Sequence, residues 1–148
     1  MKDELPFNSI AFKEAFENLK DIENLDDVLS FYDEKCYFKD PFHNIQSKKL
    51  IRKLFVNMFQ SLNNPRFTDL KMLSDGSIIV ISWSFVFERK GKKIQSCIKG
   101  SSWIQVNEKG YISHHHDYWD SVELFQTFKL LRFPLQFIKT IFSKAQVR

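Results

Sequence analysis

The run Ser113-His114-His115-His116-Asp117-Tyr118-Trp119-Asp120 gathers imidazoles, carboxylates and aromatic rings into one short stretch. Read as a strand, its period of two places His115, Asp117 and Trp119 on one face and His114, His116 and Tyr118 on the other. An imidazole and a carboxylate on consecutive same-face positions stand ~7 Å apart at the backbone, within reach of a shared proton or water. Asp117 could orient His115 as a general base. Asp40, in the step Asp40-Pro41, could instead be the base, with His115 as the acid. The same residues also fit a quieter role, a buried hydrogen-bonded pair closing a cavity floor and an Asx turn ahead of Pro41. His114 and His116 share a face that suits a metal, but no spacing supplies a third ligand, so no metal is expected.

These groups must be positioned by helices followed by strands. Asn8 to Lys20 carries Ile10, Phe12, Ala15, Phe16 and Leu19 at helical spacing, capped by Asn8 or Ser9. A second helix begins at Asn24, with Leu25, Val28, Leu29 and Tyr32 on one face; Cys36-Tyr37-Phe38 then reads as a short strand ended by Asp40-Pro41. Ser47 precedes a third helix whose stripe includes Leu50, Ile51, Leu54, Phe55, Met58 and Phe59, and Asn63-Asn64-Pro65 stops it. The period then becomes two. Strands are predicted over 66–74, 77–88 and 93–106, turned at Asp75-Gly76, Lys90-Gly91-Lys92 and 107–110 before the opening run. Ile79, Ile81, Trp83, Phe85 and Phe87 face one way on the long strand, as do Ile98, Gly100, Ser102, Ile104 and Val106 on the next. Helices followed by an antiparallel meander make an α+β pattern.

Composition narrows the classes. A chain of 148 residues with 43% hydrophobic and 27% charged residues fits one core-forming domain. The 16% aromatic content suits a sheet around an apolar cavity, whose lining would include Trp83, Phe85 and Trp119. Cys36 and Cys97 have no disulfide or zinc spacing, which suggests a reducing compartment, and the N-terminus does not read as a signal peptide. The expected location is the cytoplasm. The net charge of +4 is concentrated at the C-terminus, where Lys129, Arg132, Lys139, Lys144 and Arg148 face Glu123 alone. Lys129, Arg132, Gln136, Lys139 and Ser143 recur at helical spacing beside an apolar side broken at Pro134. This amphipathic segment packs on its own domain or a second copy, or else touches an anionic membrane surface; no recognition motif points to nucleic acid.

Several markers occur in a telling order: Phe31-Tyr32 ahead of Phe38-Lys39-Asp40-Pro41-Phe42, the helix Lys49-Leu50-Ile51-Arg52, the Asp75-Gly76 hairpin followed by Trp83, and Gly100-Ser101-Ser102 before His115-Asp117-Tyr118-Trp119-Asp120. Together they resemble the nuclear transport factor 2-like superfamily, in its SnoaL-like and ketosteroid isomerase-like branch. The resemblance implies a cone-shaped α+β fold, with three N-terminal helices packed on a curved antiparallel sheet, over residues 1–122. Residues 123–148 would form the C-terminal amphipathic extension. It also implies dimerisation through the outer sheet face.

Carried over residue by residue, the resemblance makes Asp40 the proton-shuttling base of the isomerases. Their hydrogen-bond donors, however, correspond here to Phe16, Phe55 and Ser102, and neither Phe can donate. Steroid isomerisation is therefore not expected. SnoaL-type cyclases place an acidic base late in the chain, where this sequence has Asp117. The sequence thus predicts a pocket for an apolar small molecule, with cofactor-independent proton transfer of isomerase, cyclase or hydrolase type. Its site residues would be Asp40, His115 and Asp117, with Tyr32, Phe16, Phe55, Phe59, Trp83, Phe85, Ser102 and Trp119 contacting the ligand. The alternative is a non-catalytic interaction or ligand-binding module.

Overall fold

Asn8 begins the first helix as its residue type predicts, its Oδ1 accepting the Ala11 N–H at 3.0 Å. In the computed structural model, which describes residues 7–126 and Thr140, that helix is α1 (Ser9–Glu17), followed by α2 (Leu25–Leu29). The chain continues through β1 (Tyr32–Lys39), β2 (Asn44–Gln46), α3 (Lys48–Ser61), β3 (Leu62–Asp75), β4 (Ile78–Arg89), β5 (Gln95–Val106), β6 (Ile112–Trp119) and α4 (Ser121–Gln126). Tyr32 opens β1 instead of closing the second helix. The three-residue strand β2 was not predicted, because Asn44-Ile45-Gln46 is too short to show a period.

The strands form one sheet in the order β2-β1-β6-β5-β4-β3. Its pairs are antiparallel except β1 with β6, which run parallel. The expected all-antiparallel sheet is therefore corrected to a mixed one. Alternation reports which face a side chain takes and carries nothing about the direction of the neighbouring strand. The helices cover one face of the sheet: α3 packs on β1 and β3, and α1 on β3. Phe12, Phe16, Ile51 and Phe55 from these helices meet Ile79, Ile81 and Ile104 from the sheet in one core.

Two local irregularities shape that core. The expected stop at Asn63-Asn64-Pro65 lies inside β3, at a register shift between Asn63 and Arg66, with Asn64 at φ 48°. A second shift, between Thr68 and Lys71, carries Asp69 at φ 57°. Asn and Asp tolerate this left-handed backbone, and β3 is an edge strand, so the missing N–H of Pro65 breaks no central ladder. The other irregularity is on β6. Val106 pairs with Ile112 and Gln105 with His114, leaving Ser113 as an extra residue. Its hydroxyl donates to the Gln105 carbonyl at 3.2 Å. This bulge switches the parity of the strand, so that Ile112 and His115, three apart, are both buried.

Gly100 sits opposite Trp83 across β4 and β5. A Cβ added there would overlap the Trp83 six-membered ring, so the glycine is what lets the indole lie flat across β5. The anticipated boundary at 122 falls within α4, and the amphipathic helix anticipated beyond it lies outside the described residues, Thr140 excepted. Among the described residues no helix is long and apolar enough to cross a membrane. Gly100→Ala should destabilise the protein by about 1–3 kcal/mol through overpacking against Trp83, measured by urea unfolding.

Candidate functional site

A buried imidazole has two nitrogens to satisfy, and at His115, 2% exposed, the chain satisfies both. The Tyr32 hydroxyl lies 2.6 Å from Nδ1, and Asp117 Oδ1 lies 2.7 Å from Nε2. Burial is the main cause that pushes the Tyr32 phenol well above its usual pKa, with the nearby Cys36 and Asp117 adding to it. The phenol therefore stays protonated; Asp117, which can only accept, takes the Nε2–H of His115, and in that neutral tautomer Nδ1 accepts from the Tyr32 hydroxyl. Asp117 Oδ1 receives a second hydrogen bond, from Ser102 Oγ at 2.5 Å, and Trp83 Nε1–H donates to that same Ser102 Oγ at 2.9 Å. Donors converge on one carboxylate oxygen from both directions: Tyr32 to His115 to Asp117, and Trp83 to Ser102 to Asp117.

In front of this network lies a cavity of about 450 Å³ between α3 and the inner face of the sheet. Asp117 lines it, at 17% side-chain exposure, while His115, Tyr32 and Ser102 stand behind the wall. The bonds to Asp117 end on Oδ1, and among the described residues Oδ2 has no partner. The surrounding wall is mostly aromatic, with Phe38, Phe42, Phe67, Trp83, Phe85 and Trp119 prominent. Phe67 meets Trp83 edge-on with centroids 5.5 Å apart, and Phe42 meets Trp119 the same way at 5.4 Å. Such contacts hold the rings as a rigid lining.

Asp40 also reaches the cavity, but its oxygens are occupied. Oδ1 accepts the backbone N–H groups of Phe42 at 2.8 Å and His43 at 2.6 Å, and the His43 imidazole Nδ1 lies 2.9 Å from Oδ1 and 3.0 Å from Oδ2. This is the Asx turn that the Asp-Pro step suggested.

Of the anticipated ligand contacts, Phe55, Trp83, Phe85 and Trp119 line the cavity. Phe16 packs deeper, against Phe55, Phe67 and His115, and Phe59 borders a separate surface hollow with Lys20 and Asn63. Tyr32 and Ser102, anticipated as groups that orient a ligand, instead orient His115 and Asp117. His114 and His116 are on the other face, where His116 stacks on Tyr118 with centroids 3.9 Å apart. Desolvation, and next the charge of Lys39, lower the His116 pKa. Among the described residues no group of His, Cys, Asp and Glu side chains is arranged to hold a metal ion. The Cys36 thiol is pushed up to about 12, chiefly by burial, which keeps it from acting as a thiolate.

Sequence reasoning missed Phe38, Phe42, Phe67, Met58 and Leu54 as lining residues. Leu54 and Met58 were visible in the α3 stripe, where nothing separates a helix face that meets a cavity from one that meets a packed core. Phe42 had no periodic signal, because it follows Pro41 in a turn.

A mixed sheet wrapped around helices, with a polar network behind an aromatic cavity, is the ketosteroid isomerase-like, nuclear transport factor 2-like architecture. The SnoaL-like domain model matches residues 12–115, and the chain belongs to that family. The match ends two residues before Asp117. No curated protein matches the chain. Among solved structures, an NTF2-like protein of unknown function from Burkholderia pseudomallei is similar at TM-score 0.69 and 12% identity, over 81% of this chain and 93% of that one. A hypothetical protein with a ketosteroid isomerase-like fold from Catenulispora acidiphila, in complex with trimethylamine, gives TM-score 0.66 and 12% identity over 78% of this chain and 87% of that one. An LEH-like epoxide hydrolase from M. tuberculosis gives 0.63 and 17% over 78% and 84%. At these identities the likeness shows the fold alone.

Tyr32→Phe should leave His115 Nδ1 buried without a donor and cost about 1–3 kcal/mol in urea unfolding. Tyr111→Phe, at an exposed position, should stay within about 0.5 kcal/mol of the wild type.

Proposed function

We propose that the protein binds an apolar small molecule in the cavity between α3 and the sheet, and that Asp117 is the group that receives its hydrogen bond or its proton. The observation that carries this reading is the single oxygen, Asp117 Oδ2, open at an aromatic cavity while Oδ1 is held by Ser102 and His115. A carboxylate fixed this way needs no reorganisation to accept a proton, which suits cofactor-independent isomerase, cyclase or hydrolase chemistry. His115 then acts as a positioning residue, since it touches Asp117 and not the cavity. Asp40 is the weaker candidate for base, because its turn engages both of its oxygens. The small molecule named with the Catenulispora protein is in keeping with ligand binding by this fold. The open cavity speaks against a purely protein-binding role, which needs no polar group inside the cone. Two free cysteines are consistent with the cytoplasm as its location.

The test is native mass spectrometry of protein purified from its own host, together with titration of the uncharged dye Nile red. The expected result is a retained small molecule and dye binding that weakens at least about tenfold in Met58→Trp, which fills the cavity from α3. A bare mass with no dye binding would overturn the reading.

We also propose a homodimer through the outer sheet face. There Val80, Trp103 and His116 lie in one register row, at 39% exposure for Val80 and 36% for Trp103, beside Tyr118 at 54%. Aromatic residues left at a sheet surface favour association. The segment 123–148 is proposed to pack on this domain or its second copy. Analytical ultracentrifugation should give twice the 17.7 kDa chain mass for the wild type and the single mass for Trp103→Lys. A monomeric wild type would refute the dimer.

A further inference from the structure

We infer that the small molecule held at this site carries a positive charge: a hydrophobic amine, bound as its ammonium, with an N–H on Asp117 Oδ2 and its carbon skeleton against the aromatic wall. The inference rests on the reading that the cavity takes a small molecule, and it adds the ligand's charge.

The argument begins with charge balance. The chain as a whole carries net charge +4, yet among the described lining residues of the cavity the charged side chains are the carboxylates of Asp40 and Asp117, with no Lys or Arg. Asp40 has His43 beside it, 2.9 Å away. Asp117 has no such partner facing the cavity. Its neighbours are the neutral hydroxyl of Ser102 and an imidazole that, with Tyr32 donating into Nδ1, needs only its neutral tautomer to satisfy both bonds. These donors hold the carboxylate without cancelling its charge. A carboxylate facing an apolar cavity attracts a cation and repels an anion, and the low polarity of the walls strengthens both effects.

The walls point the same way. Trp83 Nε1 is already spent on Ser102, so what Trp83 can offer a ligand is its ring. Phe38, Phe42, Phe67 and Phe85 present rings and no hydrogen-bond donor, and Trp119 adds its ring face and one neutral indole N–H. Aromatic faces attract an ammonium electrostatically while they bury its hydrocarbon. A carboxylate or phosphate ligand would find, among the described wall residues, no lysine or arginine and two carboxylates, Asp40 and Asp117. A neutral ligand would leave the charge of Asp117 uncompensated. An ammonium answers both features with one group.

Three probes of one skeleton test this on the full chain: phenylbutylamine, phenylbutanol and phenylbutyrate, each titrated by the fluorescence of Trp83 and Trp119, which line the cavity. The amine should bind about tenfold or more tighter than the alcohol, with the acid weakest. In Asp117→Asn, which keeps an oxygen for Ser102 and His115, the amine should fall to the level of the alcohol. Binding of the alcohol with no gain for the amine, or an amine preference that survives in Asp117→Asn, overturns the inference and leaves the cavity reading intact. Binding of the acid as tightly as the amine also overturns it. Failure of all three probes overturns the inference together with the reading beneath it. If Asp117→Asn does not fold, the order of the three probes on the wild type decides the question.

Discussion

The structure turns on the cost of burying one imidazole. His115 is almost wholly enclosed, and a buried ring nitrogen without a partner costs about 1–3 kcal/mol, a large part of the stability of a domain this size. Each nitrogen therefore fixes a partner: Tyr32 at the start of β1 and Asp117 two residues along β6. The demand propagates. Asp117 needs further donors to sit beside an aromatic cavity, so Ser102 on β5 donates to it; Ser102 in turn accepts from Trp83 on β4, whose ring fits only because its neighbour is Gly100. One polar chain thereby links β1, β6, β5 and β4, four adjacent strands of the sheet.

The same chain separates the parts of the site by role. His115, Tyr32 and Ser102 are withdrawn from the cavity, and what this network leaves at its surface is the Trp83 ring and one oxygen of Asp117. Networks of this kind are costly when incomplete and rigidifying when complete, and among the described residues no buried side-chain nitrogen or oxygen lacks a partner. The absence of donors at Phe16 and Phe55, where the isomerases have tyrosines, is consistent with this division. Those positions supply apolar packing around His115 and the cavity, and the polar work is concentrated on the opposite wall.

Much of this was legible in the residues. Helical stripes located α1 and α3, alternation located β4 and β5, and the order of motifs indicated the superfamily. Period two also grouped His115, Asp117 and Trp119 correctly on β6. The failures were at irregular backbone. α3 ends just before Asn63-Asn64-Pro65 as expected, but these residues already form a bulge in the edge strand β3, because Asn and Pro are tolerated both where a chain stops and where it bends. Tyr32 matched the spacing of the preceding helix and belongs to a strand, since one residue at an element's end satisfies either period.

By itself the sequence determined the class of fold, the residue types available for chemistry and the grouping of His115 with Asp117, since all three follow from local period and composition. Only the tertiary structure decided which way that group faces and what it does. The extra residue at Ser113 sets the parity of β6, and it is defined by the pairing with β5, a register that no local pattern can report. Likewise, Tyr32 and His115 are 83 positions apart in the chain, and their bond exists because β1 and β6 lie side by side. Alternation could bring an imidazole and a carboxylate to one face; the long-range contacts made the imidazole the support and left the carboxylate oxygen open to the cavity.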